Sequence, residues 1–262
     1  MTTEHIVETA HVLADAAREV VLPFFRSDGL MSDNKTEGAG FDPVTEADRA
    51  AERAIRDLLS TRRPEDAILG EEYGPKPGTS GLTWVIDPID GTRGFVSGTP
   101  TWGTLIALSD QTGPIFGIID QPYVGERFVG GFGQAEMTGP RGDRPLATRG
   151  DRALAQSILF TTFPDIGTPD ERAAFEAVSQ QAQLTRYGMD CYAYALVAAG
   201  QIDLVIEAGL QAYDIQAPIA VVQAAGGIVT DWQGNPAHEG GRVVAAASRQ
   251  QHETALEILS RF

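Results

Sequence analysis

Long apolar runs, basic charge, cysteine pairs and the common signatures of nucleophilic catalysis are all missing from this sequence, and each absence removes a class of function. No apolar stretch approaches the ~20 residues that cross a bilayer. The first 25 residues lack the charged-then-apolar pattern of a secretion signal. A single cysteine, Cys191, excludes an internal disulfide, so a reducing cytoplasm is the expected setting. A formal charge of −16 is unsuited to binding a nucleic-acid backbone. The histidines, His5, His11, His238 and His252, form no H-E-x-x-H pattern, and neither G-x-S-x-G nor G-x-x-x-x-G-K-[ST] occurs. They read as surface or packing residues, and Cys191 as a core residue within a helix of small side chains.

What is present suits a globular enzyme. With 262 residues, 42% of them hydrophobic and 21% charged, the chain can bury a sizeable core. Helical periodicity runs from His5 to Phe25 and again from about Thr45 to Pro64, with "SDGLMSDNKTEGAGFD" between them reading as a mobile loop. The middle is strand-rich: "AILG", "TWVID", "GTLIALS", "PIFGIIDQP" and "ERFVGGFG". Next come an "SILFTTF" strand, helices near Asp170–Gln183 and within "DCYAYALVAAG", and an "IDLVIEAG" strand. A helix after Asp214, strands "GIVTDW" and "RVVAAAS", and a closing helix complete the chain. Strands and helices interleave, so the class is α/β or layered α+β, a single domain over residues 1–262. The Gly- and Pro-rich "GPRGDRPLATRG" separates two possible subdomains, 1–138 and 145–262.

The chemistry gathers in acids at element ends. In "WVIDPIDGT", Pro88 biases Asp87 toward an extended conformation and ends the strand there, while Asp90 precedes Gly91-Thr92, where outward N–H groups suit an anion. Acids beside an anion site make sense when cations lie between them. "LGEEYG" adds Glu71 and Glu72, "DPVTEAD" adds Asp48, and "AYDIQAP" adds Asp214. Plainer readings exist for each: Asp87 as a turn residue, Asp90 and Asp214 as N-caps, and Asp48 as the distal half of a capping box with Thr45. Taken together they form a set of hard oxygen donors that selects magnesium, manganese or calcium over zinc.

The motifs "DPVTEAD", "GEE", "WVIDPIDGT" and "YDIQAPIAVVQAAGG", in this order, resemble the inositol monophosphatase superfamily over essentially the whole chain; Tyr213 stands where that family usually has Trp. Within it, "GTPTWGTLIAL", "GIIDQPYVGERFVG" and "YGMDCYAYALVAAGQIDLVIE" look most like histidinol-phosphate phosphatases. The resemblance implies an α/β/α/β/α sandwich, commonly homodimeric. It implies that Glu71, Asp87, Asp90, Asp214 and the Ile89 carbonyl hold two or three Mg²⁺ ions, with Mn²⁺ a possible substitute. Thr92 and Asp48, with Glu71, would orient the attacking water. The N–H groups of Gly91 and Thr92 would receive phosphate, Glu207 and Asp190 would contact the rest of the substrate, and Lys35 could match a lysine near the metals. For Asp190 a helix N-cap is the plainer alternative.

The implied activity is hydrolysis of L-histidinol phosphate in histidine biosynthesis. Cations in the acid cluster would explain how a protein so acidic accepts an anionic ester. Asp190 favours this cationic substrate, whereas Glu207 suits inositol hydroxyls equally well. The alternatives are an inositol-1-monophosphatase or broad monoesterase, and a non-catalytic phosphometabolite-binding relative. A haloacid-dehalogenase phosphatase needs D-x-D, and the spacing here is D-x-x-D.

Overall fold

Alanine, leucine and valine at helical spacing bury one face of the first helix, α1 (Thr3–Val21), which ends short of the expected Phe25 in a run of turns. The computed structural model describes residues 2–28, 32–34 and 43–262. In the span expected to be loop, β1 (Ser32–Asn34) pairs antiparallel with β2 (Pro43–Thr45). There follow α2 (Glu46–Arg62), β3 (Ala67–Gly70), β4 (Gly74–Lys76), β5 (Thr83–Asp90) and α3 (Thr92–Ser97). A meander comes next, made of β6 (Gly103–Asp110), β7 (Gly113–Gln121), β8 (Glu126–Gly131), β9 (Gln134–Thr138) and β10 (Arg144–Pro145). The remainder is β11 (Ile158–Thr161), α4 (Pro169–Ser179), β12 (Leu184–Tyr187), α5 (Asp190–Ala198), β13 (Leu204–Leu210), α6 (Ala212–Ala224), β14 (Ile228–Thr230), β15 (Gly241–Ala246) and α7 (Arg249–Leu259).

These elements stack in five layers. An eight-stranded sheet, ordered β10-β9-β8-β7-β6-β5-β3-β4, and a five-stranded sheet, ordered β12-β11-β13-β15-β14, enclose α5 and α6. Alternation along each strand sorts side chains between layers. On β5, Trp84 and Ile86 pack toward α1 and α2, while Val85 faces the middle helices. On β13, Val205 faces the middle, and Leu204 and Ile206 face α4 and α7. The architecture is the α/β/α/β/α sandwich expected. The helix expected near Asp170–Gln183 is α4, which stops at Ser179, and the small strands β4, β9, β10 and β12 were not anticipated. Their two to five residues are too short to carry a periodic signal.

One irregularity positions the site. Asp87 of β5 pairs with Leu105 of β6, and Asp90 pairs with Gly103, so the register shifts between them. Three steps on β5 oppose two on β6, the mark of a β-bulge. The strand therefore continues through Pro88 to Asp90 rather than ending at Asp87, because the bulge removes the ladder position that proline could not fill. In a regular strand residues three apart face opposite sides. Here the extra residue sends Ile89 into the core under α1 and α2 with Ile86, and turns Asp90 to the same side as Asp87.

Candidate active site

Two strand acids and one helix acid converge at the C-terminal end of β5. One carboxylate oxygen each from Asp87, Asp90 and Asp214 lie within 4.8 Å of one another. Asp87 is 2% exposed. Burial pushes its carboxyl well above the usual range, and the charges of Glu71, Asp90 and Asp214 push further the same way. Asp90 is raised likewise, by burial and then by Asp190 and Asp214, although its Oδ2 accepts the Cys191 N–H at 2.6 Å. Burial also holds Cys191 as a thiol. Glu71 lies outside the triplet of mutual distances, but its carboxyl is hydrogen-bonded to that of Asp87. Carboxylates gathered so closely need protons or cations among them.

Local structure fixes each acid. Gln211 is the N-cap of α6, so Asp214 is the third helical residue and not the cap itself. Its Oδ2 accepts the Gln211 N–H at 2.7 Å, which completes a capping box. "GLQAYD" offers no Ser, Thr, Asn or Asp ahead of Asp214, which is why the cap was misplaced. Glu71 follows β3, where its N–H donates to the Ile86 carbonyl at 3.2 Å and continues the ladder. The next turn is held by Glu52 of α2, whose carboxylate accepts the N–H of Glu72 at 2.7 Å and of Tyr73 at 3.3 Å and pairs with Arg56. Gly70 makes room for it: a Cβ there would lie 2.0 Å from Glu52 Oε1. Sequence reasoning missed Glu52, which in "DPVTEADRAAE" looks like one more helix-face acid.

Asp48 serves as a cap and has capacity to spare. Its Oδ2 accepts the Thr45 N–H at 2.8 Å and the Thr45 hydroxyl, in the expected capping box. Its Oδ1 is buried with no hydrogen-bond partner among the described residues. Burial raises this carboxyl to about 6 against the Thr45 hydrogen bonds, with the Glu71 charge adding to the rise. Thr92 opens α3 and donates its hydroxyl to the Ile89 carbonyl at 3.1 Å.

Glu71, Asp87, Asp90 and Asp214 floor a cavity of about 440 Å³ whose wall includes Ile89, Gly91, Thr92, Asp190 and Glu207. Asp190 is not the N-cap of α5; Met189 is. Asp190 instead has φ of +45°, a left-handed conformation in which a non-glycine residue is uncommon. Its Oδ2 accepts the Thr101 hydroxyl at 3.3 Å. Gly91, at φ +84°, lies against it: a Cβ there would come within 2.8 Å of the Asp190 carboxyl carbon. Burial raises Asp190 to about 6, opposed by the Thr101 bond and the Arg93 charge. Arg93 in turn stacks over Phe163, 4.7 Å from the ring centroid. Glu207 of β13 is 5% exposed and accepts from Thr162 N at 2.7 Å, Thr162 Oγ1 at 2.9 Å and Thr161 Oγ1 at 3.2 Å. Burial lifts it to about 7 despite these bonds. Lys35 lies outside the described residues. Arg93, Phe163 and Tyr194 also line the cavity, and sequence reasoning named none of them.

The donor set therefore fits a hard divalent cation: oxygen ligands only, closely spaced, buried and mutually repulsive. The chain also resembles known proteins along essentially its whole length. The model of the inositol monophosphatase family matches residues 2–261. The "Bifunctional phosphatase IMPL2, chloroplastic" of Arabidopsis thaliana is 39% identical over 98% of this chain and 75% of its own length. A histidinol-phosphatase of Streptomyces coelicolor is 35% identical over 96% of both chains. Among solved structures, an inositol monophosphatase from Zymomonas mobilis superposes with a TM-score of 0.87 at 39% identity, covering 99% of each chain.

Proposed function

The chain belongs to the inositol monophosphatase family of phosphatases, and from that premise we propose that it is a Mg²⁺-dependent phosphomonoesterase whose substrate is L-histidinol phosphate. The observation that carries this reading is the convergence of Asp87, Asp90 and Asp214 within 4.8 Å at the floor of a cavity otherwise suited to a small molecule. Those residues, with Glu71 and the Ile89 carbonyl, would hold the ions. Bound divalent cations would neutralise the phosphate, make water a better nucleophile and ease departure of the alcohol.

The chain's own groups do the rest. The Gly91 and Thr92 N–H groups orient the phosphate. Thr92 Oγ1, anchored on Ile89, directs a water in line with the ester bond, and Asp48 Oδ1 takes up the proton that passes through the hydroxyl. The new P–O bond forms as the ester P–O bond breaks, with no phospho-enzyme. Asp190 and Glu207 present carboxylates to the alcohol end. Glu207 suits either an ammonium-bearing alcohol or a neutral polyol, while Asp190 fits the ammonium better, which favours histidinol phosphate over inositol phosphate.

Phosphate release from L-histidinol phosphate and from inositol 1-phosphate, with Mg²⁺ present, tests the reading. Histidinol phosphate is expected to be preferred by at least about tenfold in kcat/KM. The reverse preference makes the chain an inositol-type phosphatase, and full turnover in excess chelator overturns the metal mechanism.

A further inference from the structure

Tyr194 stands on α5 with its side chain in the cavity wall, 3% exposed. Its hydroxyl has no hydrogen-bond partner among the described residues. A buried Tyr O–H normally finds a partner, because leaving the group dry and unpaired is costly. Burial first, and then the charges of Glu207, Asp90 and Asp214, push its ionisation far above the normal range, so at neutral pH it carries its proton and can donate. Glu207 is the strongest of those charges on the hydroxyl, yet the hydrogen bonds it accepts come from Thr161 and Thr162 and not from Tyr194. A polar atom of a cavity-lining residue is thus buried and left without a partner among the described residues, near enough to Glu207, Asp90 and Asp214 to feel their charges.

Resting on the phosphatase reading above, the geometry points to Tyr194 as a specificity-determining residue: its hydroxyl donates a hydrogen bond to an acceptor atom on the alcohol portion of the phosphate ester. With Glu207 accepting nearby, the two side chains form a donor and an acceptor for an alcohol that carries both kinds of group, as an imidazole does. An alcohol lacking an acceptor gives the Tyr194 hydroxyl no partner. In the sequence Tyr194 passes for an ordinary packing residue, because its neighbours Ala193, Ala195 and Val197 are apolar.

Tyr194→Phe removes the hydroxyl and little else. The measurement is the ratio of kcat/KM for L-histidinol phosphate to kcat/KM for phenyl phosphate, whose alcohol has no nitrogen, in the native chain and the variant. The ratio is expected to fall roughly three- to tenfold, the size of one neutral hydrogen bond, mainly through KM. Calorimetric binding of free L-histidinol is expected to weaken by a similar factor. An unchanged ratio overturns the inference, as does an equal loss on both esters, which would place the hydroxyl on the phosphate or ester oxygen. Thermal denaturation separates a structural role: removing an unpaired hydroxyl leaves the midpoint unchanged or raised, and a clear fall would show that the fold itself satisfies it. If the native chain hydrolyses neither ester, the phosphatase reading fails and takes this inference with it.

Discussion

Two groups of buried carboxylates in this molecule have opposite surroundings. Asp120, on β7, is fully buried and receives two arginines: Arg18 of α1 at 2.7 Å and 3.1 Å, and Arg127 of β8 at 2.7 Å. Arg127 reaches on to Asp15 at 2.7 Å and faces His11, whose pKa is lowered by burial and by that arginine's charge. Asp87, on β5, is nearly as buried, yet the charges acting on it most strongly are all carboxylates. The first group is complete within the chain and ties a helix to a sheet. The second awaits charge from outside. Burial alone therefore does not mark a functional acid; the sign of what surrounds it does.

Four experiments sharpen or break this contrast. Asp87→Asn should cut turnover by roughly 10³-fold and weaken Mg²⁺ binding in calorimetry, since it removes an oxygen charge from the nest. Unaltered Mg²⁺ affinity would dissolve the distinction between the two groups. Asp120→Ala should instead leave Mg²⁺ binding intact while destabilising the fold by about 3 kcal/mol, because Arg127 is left buried and short of a partner. A thermal midpoint lower by roughly 6–12 °C would record it.

Glu207→Gln tests a third environment, a buried acid satisfied by threonines. Its folded pKa of about 7 exceeds the unfolded value near 4.5, so the native state binds more protons between those limits. Its contribution to stability is present below the unfolded value and is lost as pH rises through about 7. The variant should therefore be about 1–3 kcal/mol more stable than the native chain at pH 8 and nearly equal to it at pH 4.5, read as the difference between denaturant midpoints. Smallest is the metal-free effect of Asp90→Asn. Removing one repelling carboxylate should raise stability by roughly 1 kcal/mol in chelator, despite the loss of activity. A fall there would mean that Asp90 is held by more than its neighbours' tolerance.

What could be read in advance follows the range over which each feature is encoded. The acids of "WVIDPIDGT" and "DPVTEAD" are legible because proline, glycine and capping patterns act over three or four residues. The layered architecture is legible from alternating element types. Asp214 was misplaced relative to its helix because Gln211, a weak capping residue on its own, caps α6 only with the help of Asp214 reaching back. Glu52, Arg93, Phe163 and Tyr194 stayed hidden for a different reason. Each looks like an ordinary helix or loop residue until the fold brings Glu52 to the turn after β3 and the other three to one cavity, and that proximity has no local trace.

The bulge in β5 carries one more consequence. Were the ladder with β6 to run on without the shift, each residue from Asp87 to Asp90 facing one of its own on β6, the sheet would be tidier and better paired beside Gly103. That repair would also rotate Asp90 through the plane of the sheet into the apolar packing beneath α1 and α2, far from Asp87 and Asp214. Whether this strand hosts chemistry is thus a question of odd or even count, and here the misfit is what makes the enzyme.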